Sequence, residues 1–133
     1  MTIAAREVPT PPTDSLIDVA ALRASLTLIA STQAESATGM RSAVLALLKK
    51  VKAEGMQEAR VRLDQDRFGL ACARRISRMM DEIITALHDF AVNQVFGAAN
   101  AAPDQRIGVV AVGGYGRDTL APGSDIDLLF LLP

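Results

Sequence analysis

The stretch VGGYGRDTLAPGSDIDLLFLLP, residues 112–133, decides the fold. After Val112 come Gly113 and Gly114, then the ten-residue connector 115–124, and last an apolar run that starts with two aspartates separated by one residue, Asp125 and Asp127. In a strand, residues i and i+2 project to the same face, so the two carboxylates point together while Ile126 turns toward the core. Their Cα atoms would stand ~6.5–7 Å apart along the strand. Leu128 and the four apolar residues after it mark this as a central, buried strand and not an edge.

Working outward, IGVVAV at 107–112 is a short β-branched run bounded by glycines, the composition of a second buried strand. For its trailing glycines to meet Asp125 at the head of the other strand, both must lie at one rim of the sheet, which favours antiparallel pairing. The connector has room for one helical turn, which 117–120 would make.

Before residue 100 the pattern is helical. Asp14 or Ser15 is placed to cap a helix reaching about Ala30, with Leu16, Val19, Leu22, Leu26 and Ile29 on its apolar side. Met40, Val44, Leu47, Leu48 and Val51 form a second stripe. Lys49, Lys50 and Lys52 follow near its expected C-terminal end, and Gly55 is expected to end or loosen that helix before helix resumes. The strongest periodicity is ISRMMDEIITALHDFAVNQVF at 76–96. Its apolar face is Ile76, Met79, Met80, Ile83, Ile84, Leu87, Phe90 and Ala91. The two methionines read as core filler, and His88, the single histidine, as a boundary residue. The fold class is therefore α+β: helices followed by the first two strands of a sheet. The organisation is a Pro-rich disordered tail at 1–13, a helical region at 14–100 and a strand-bearing segment at 101–133.

Composition excludes several roles. With 14 basic and 15 acidic residues the net charge is -1, and there are four Phe, one Tyr and no Trp. That is neither the basic face nor the stacking platform of a nucleic-acid binder. Cys72 is alone, so it supports no disulfide and reads as a buried thiol. No run approaches the ~18 apolar residues of a membrane span, and the N-terminus lacks the apolar core of a signal peptide, so the expected location is cytoplasmic.

The chemistry lies at the C-terminal end. Two carboxylates on one face repel and call for cations between them. Mg²⁺ suits them, being hard, oxygen-seeking and usually shared with substrate phosphates. Phosphoryl- and nucleotidyl-transfer sites hold two ions ~3.5–4 Å apart, a span that two aspartates and one further carboxylate can serve. Glycines after a strand let the backbone come close to a ligand, although taken alone they read first as a tight turn. Neither G-x-G-x-x-G nor a P-loop is present, since Thr119 stands three after Gly116 and no Gly-Lys-Ser/Thr follows.

A strand, Gly-Gly, ten residues and then D-h-D, with h apolar, resembles the signature of the DNA polymerase β-type nucleotidyltransferase superfamily. More narrowly, GGYGRDTLAPGSDIDLLFLLP resembles the active-site segment of the bacterial PII uridylyltransferase/uridylyl-removing enzyme family. The helical GLACARRISRMMDEII at 69–84 is similar, more loosely, to that family's lead-in. The resemblance implies transfer of UMP from UTP to a tyrosine hydroxyl of the PII signal protein with Mg²⁺ or Mn²⁺. Asp125 and Asp127 would hold the metals, and Gly113 and Gly114 would cradle the triphosphate with Ser124 and Arg117 assisting. It also implies that the chain is an N-terminal fragment of a longer enzyme, inactive alone. The superfamily's third carboxylate would lie beyond Pro133, and one histidine cannot furnish the family's hydrolase domain. Two other readings remain. One is a sister enzyme such as glutamine synthetase adenylyltransferase. The other is a non-catalytic helical interaction module.

Overall fold

The computed structural model describes residues 15–97 and 106–133. The Pro-rich tail and most of the loop before the first strand lie outside the described residues, as does Asp14.

Three helices form the body. Helix α1, Val19–Thr32, starts where the Asp18 carboxylate accepts from the Ala21 N–H at 3.0 Å. The cap is thus three residues later than Ser15, whose hydroxyl instead reaches Glu82 Oε2 at 2.7 Å and ties the lead-in to α3. Helix α2, Ala37–Asp66, is capped by Ser36 and closes at Arg67 in the left-handed region, φ 55°. Helix α3, Gly69–Phe90, continues into a π-helical turn, Ala91–Val95.

Gly55 neither ends nor loosens α2, which runs on to Asp66. The reason is tertiary. Gly55 is buried, and a Cβ there would overlap Met79 Sδ and stand 2.9 Å from Ile17 Cγ2. Glycine in a helix interior costs ~0.5–1 kcal/mol against alanine, but here it lets two helices approach at a methionine. The lysines at 49, 50 and 52 accordingly sit mid-helix, where Lys50 lies 4.0 Å from Glu54, and not at a C-terminus.

Helix α3 is the centre of the body. Cys72, Ile76, Met79, Met80, Ile83, Ala86 and Phe90 are all buried, clustered with Leu16, with Leu22 and Leu26 of α1, with Val44 and Ala59 of α2, and with Tyr115 and Leu120 from the C-terminal segment. Both methionines are core, as the 3.6-residue period requires. His88 is surface-exposed beside Asp89. Surface pairs such as Arg23–Asp89 at 2.8 Å link α1 to α3 and contribute little beyond register.

The remaining segment is a β-hairpin packed on α3. Strand β1, Gly108–Val112, leads into a one-turn helix α4, Gly113–Gly116, and strand β2, Asp127–Leu131, returns antiparallel. The register pairs Gly108 with Leu131, Ala111 with Leu128 and Val112 with Asp127. Val109, Ala111 and Leu128 line, with Ile84 and His88 of α3, a cleft of about 290 Å³. The expected deep burial of the strands is not found. Leu129, Phe130 and Leu131 are 50%, 60% and 51% exposed, because among the described residues only two strands pair and helix covers one face. Among the described residues, no helix is long and apolar enough to cross a membrane.

Candidate active site

The site is built where β1 ends and β2 begins. Gly113 leaves β1 with φ +65°, a conformation L side chains rarely adopt. The ladder puts Asp127 directly opposite Val112, so its carboxylate lies against the glycine. A Cβ on residue 113 would come within 2.8 Å of Asp127 Oδ2. Gly113 is therefore required twice, by dihedral and by the carboxylate.

The chain then closes a single turn on its glycines. The Arg117 N–H donates to Gly113 O at 3.2 Å, and the Thr119 N–H to Gly114 O at 3.2 Å. Gly116 passes so close under β1 that a Cβ would sit 2.6 Å from Ala111 O. The turn thus occupies 113–116 and not 117–120. What draws it forward is Tyr115, which is buried and donates its hydroxyl to Asp81 Oδ1 of α3 at 2.6 Å. Burial first, and then the Asp81 carboxylate, push this phenol above its ordinary pKa and keep it a donor.

Beyond the turn, the Leu120 side chain is buried and its N–H donates to Ser77 Oγ at 2.9 Å. Ala121 O accepts from the Ser124 N–H at 3.1 Å across Pro122 and Gly123, whose φ is +78°. Proline followed by a positive-φ glycine is the sequence of a type II turn. It delivers Asp125, exposed, to the head of β2, with half-buried Ile126 packed on the core.

Residues 98–133 match the family described as Nucleotidyltransferase domain. The chain is 42% identical over 118 residues, 89% of its length, to a bifunctional uridylyltransferase/uridylyl-removing enzyme of Phenylobacterium zucineum (strain HLK1). It is also 42% identical over 120 residues to the enzyme so named in Caulobacter vibrioides (strain NA1000 / CB15N). The chain is homologous to bifunctional uridylyltransferase/uridylyl-removing enzymes. It spans 13% of the length of each of these relatives. No solved structure matches it significantly.

Within the nucleotidyltransferase segment, the expected residues fall into two groups. Gly113 meets Asp127, and the Arg117 guanidinium folds back to within 4.0 Å of where a Gly114 Cβ would be. Asp125, expected opposite the glycines, is two residues outside the ladder, because the register gives that place to Asp127. Ser124 and Asp125 instead line a groove of about 390 Å³ with Lys52, Met56 and Met80 of the helical body. Both aspartates are exposed, and among the described residues no group of three or more His, Cys, Asp or Glu is gathered to hold a metal.

Sequence reasoning missed Tyr115, Gly116, Ser77 and Lys52. A lone tyrosine between glycines was a usable signal, since a buried aromatic with a hydroxyl needs both a pocket and a partner. Ser77 carried a weaker one, a polar residue beside the apolar face of α3. Lys52 carried none, since only the packing of α2 brings it to the groove.

Proposed function

We propose that this chain carries the nucleotide- and metal-binding edge of a cytoplasmic uridylyltransferase that moves UMP from UTP to the PII signal protein. The observation that carries the reading is the Asp127 carboxylate set against left-handed Gly113, with Asp125 two residues upstream. The match of 98–133 to a nucleotidyltransferase domain and the uridylyltransferase names of the relatives support it.

The donor set suits a hard divalent cation. Asp125 and Asp127 are exposed carboxylates two residues apart, whose oxygens can each donate to such a cation. Mg²⁺ or Mn²⁺, when bound there, would neutralise charge on the phosphates during transfer. The chain's own part is to position and to counter charge. Gly113 and Gly114 present backbone without side chains, so a triphosphate can approach closely. Arg117, exposed beside Gly114, supplies a forked cation for phosphate oxygens, and the Ser124 hydroxyl is available as a further donor. In the reaction an acceptor hydroxyl gives up its proton to solvent and forms a P–O bond at the α-phosphorus, the bond to the β-phosphate breaks, and pyrophosphate leaves.

The test is Mg²⁺-dependent labelling of PII from UTP by the full-length protein. Asp125→Asn and Asp127→Asn should each lower labelling ~100-fold or more, beyond the loss typical of removing an outer-shell partner. Preference for ATP over UTP in competition would replace this reading with an adenylyltransferase. A nucleotide response unaltered by either substitution would favour a non-catalytic helical module.

A further inference from the structure

Two residues of α3, both outside the segment that matches the nucleotidyltransferase family, hold the two ends of the connector between glycines and aspartates. Asp81 Oδ1 accepts the Tyr115 hydroxyl at 2.6 Å, and Ser77 Oγ accepts the Leu120 N–H at 2.9 Å. Four residues apart on a helix, they share one face. Ser77 is 1% exposed and Leu120 4%, so their contact is shielded from water, while the Tyr115 side chain, 4% exposed, reaches an Asp81 carboxylate at the protein surface. Ser77 is also the one buried polar residue among the described residues, and its neighbours Ile76 and Met80 are apolar core. Packing alone would be met by alanine at 77. The hydroxyl is explained by the Leu120 N–H, which would otherwise be buried without a partner.

The consequences run in opposite directions along the chain. Tyr115 lies within α4, so anchoring its ring fixes the turn that presents Gly113 and Gly114. Leu120 immediately precedes the turn at 121–124, so anchoring its backbone fixes the approach to Asp125. We propose that Ser77 and Asp81 are positioning residues: α3 acts as a ruler that sets the spacing between the phosphate-side glycines and the aspartate-bearing strand. This rests on the nucleotidyl-transfer reading and adds helical residues to its site. Neither residue is required to touch the nucleotide.

The experiment uses the full-length protein and four variants, Ser77→Ala, Asp81→Ala, Asp81→Asn and Tyr115→Phe. It measures kcat, the KM for UTP, the Mg²⁺ concentration at half-maximal rate, and thermal unfolding. Ser77→Ala and Asp81→Ala should raise the UTP KM and the Mg²⁺ requirement ~10-fold, since a misplacement near 1 Å can cost more than that. Asp81→Asn keeps an oxygen that accepts from Tyr115 and should recover most of the loss. Tyr115→Phe should match Asp81→Ala, and the pair combined should be no worse than either alone. Because Asp81 is an exposed residue of α3, its variants keep the test decisive should Ser77→Ala or Tyr115→Phe fail to fold. A fall in kcat alone, with KM and Mg²⁺ requirement unmoved, would overturn the inference, as would Asp81→Asn behaving like Asp81→Ala. Variants equal to an active wild type would sink the inference and leave the uridylyltransferase reading intact. A wild type that transfers no nucleotide sinks that reading and the inference with it.

Discussion

The helical body and the hairpin that follows it obey different rules. In the body, α3 is enclosed by α1 and α2, and Met79 is fully buried. In the hairpin, Asp125, Asp127 and Arg117 stand in solvent, and so does much of the apolar side of β2. Stability is concentrated in one region and candidate chemistry in the other. Substitutions should therefore separate stability from activity, and the seam between them, Tyr115–Asp81 and Leu120–Ser77, is where the two should couple.

The largest expected effect breaks the body. Met79→Ala should cost ~2–5 kcal/mol in denaturant unfolding, because it empties a fully buried site packed on Gly55. The UTP KM of the fraction still folded should not change, and a shift in it would blur the contrast. Next comes Asp127→Asn, the reverse case. A ~100-fold loss of labelling should accompany a stability change within ~0.5 kcal/mol, as for other exposed positions. A large drop in unfolding midpoint would show the carboxylate to be structural.

Gly113→Ala should fall between the two. Its φ of +65° and the Asp127 oxygen 2.8 Å from the new Cβ predict ~1–3 kcal/mol of local strain and reduced transfer together. Full activity with unchanged stability would mean that the turn relaxes freely. Smallest is an effect of pH on the body. The Phe68 N–H, and then Arg75, hold the Asp66 carboxyl below its ordinary pKa. The folded state therefore binds this proton less readily than the unfolded chain. The stabilisation is present above the unfolded value and is lost as pH falls through the folded one. Asp66→Asn should flatten that acid limb in pH-dependent unfolding, and an unchanged limb would assign it to other carboxylates.

The parts legible in the sequence were those written in short-range patterns. The apolar period of 76–96 identified α3 and its buried methionines, and D-I-D after Gly-Gly marked two strands meeting at one rim. The misses share a cause. The cap moved to Asp18 because Ser15 bonds Glu82, 67 positions away. Gly55 was read as a helix breaker because Met79, the side chain that explains it, is 24 residues downstream. The glycine turn moved forward because Tyr115 reaches back 34 residues to Asp81.

By itself, then, the sequence determined which residues are apolar on one helical face, where the chain turns on glycine and proline, and that two carboxylates stand two residues apart at the approach to a strand. These follow from the geometry of neighbours along the chain. Only the tertiary structure decided that Asp127 and not Asp125 lies against Gly113, that α2 passes through Gly55 unbroken, and that Ser77 and Asp81 hold the connector. Register, close approach and buried hydrogen bonding depend on what lies opposite in space, and no local period encodes that.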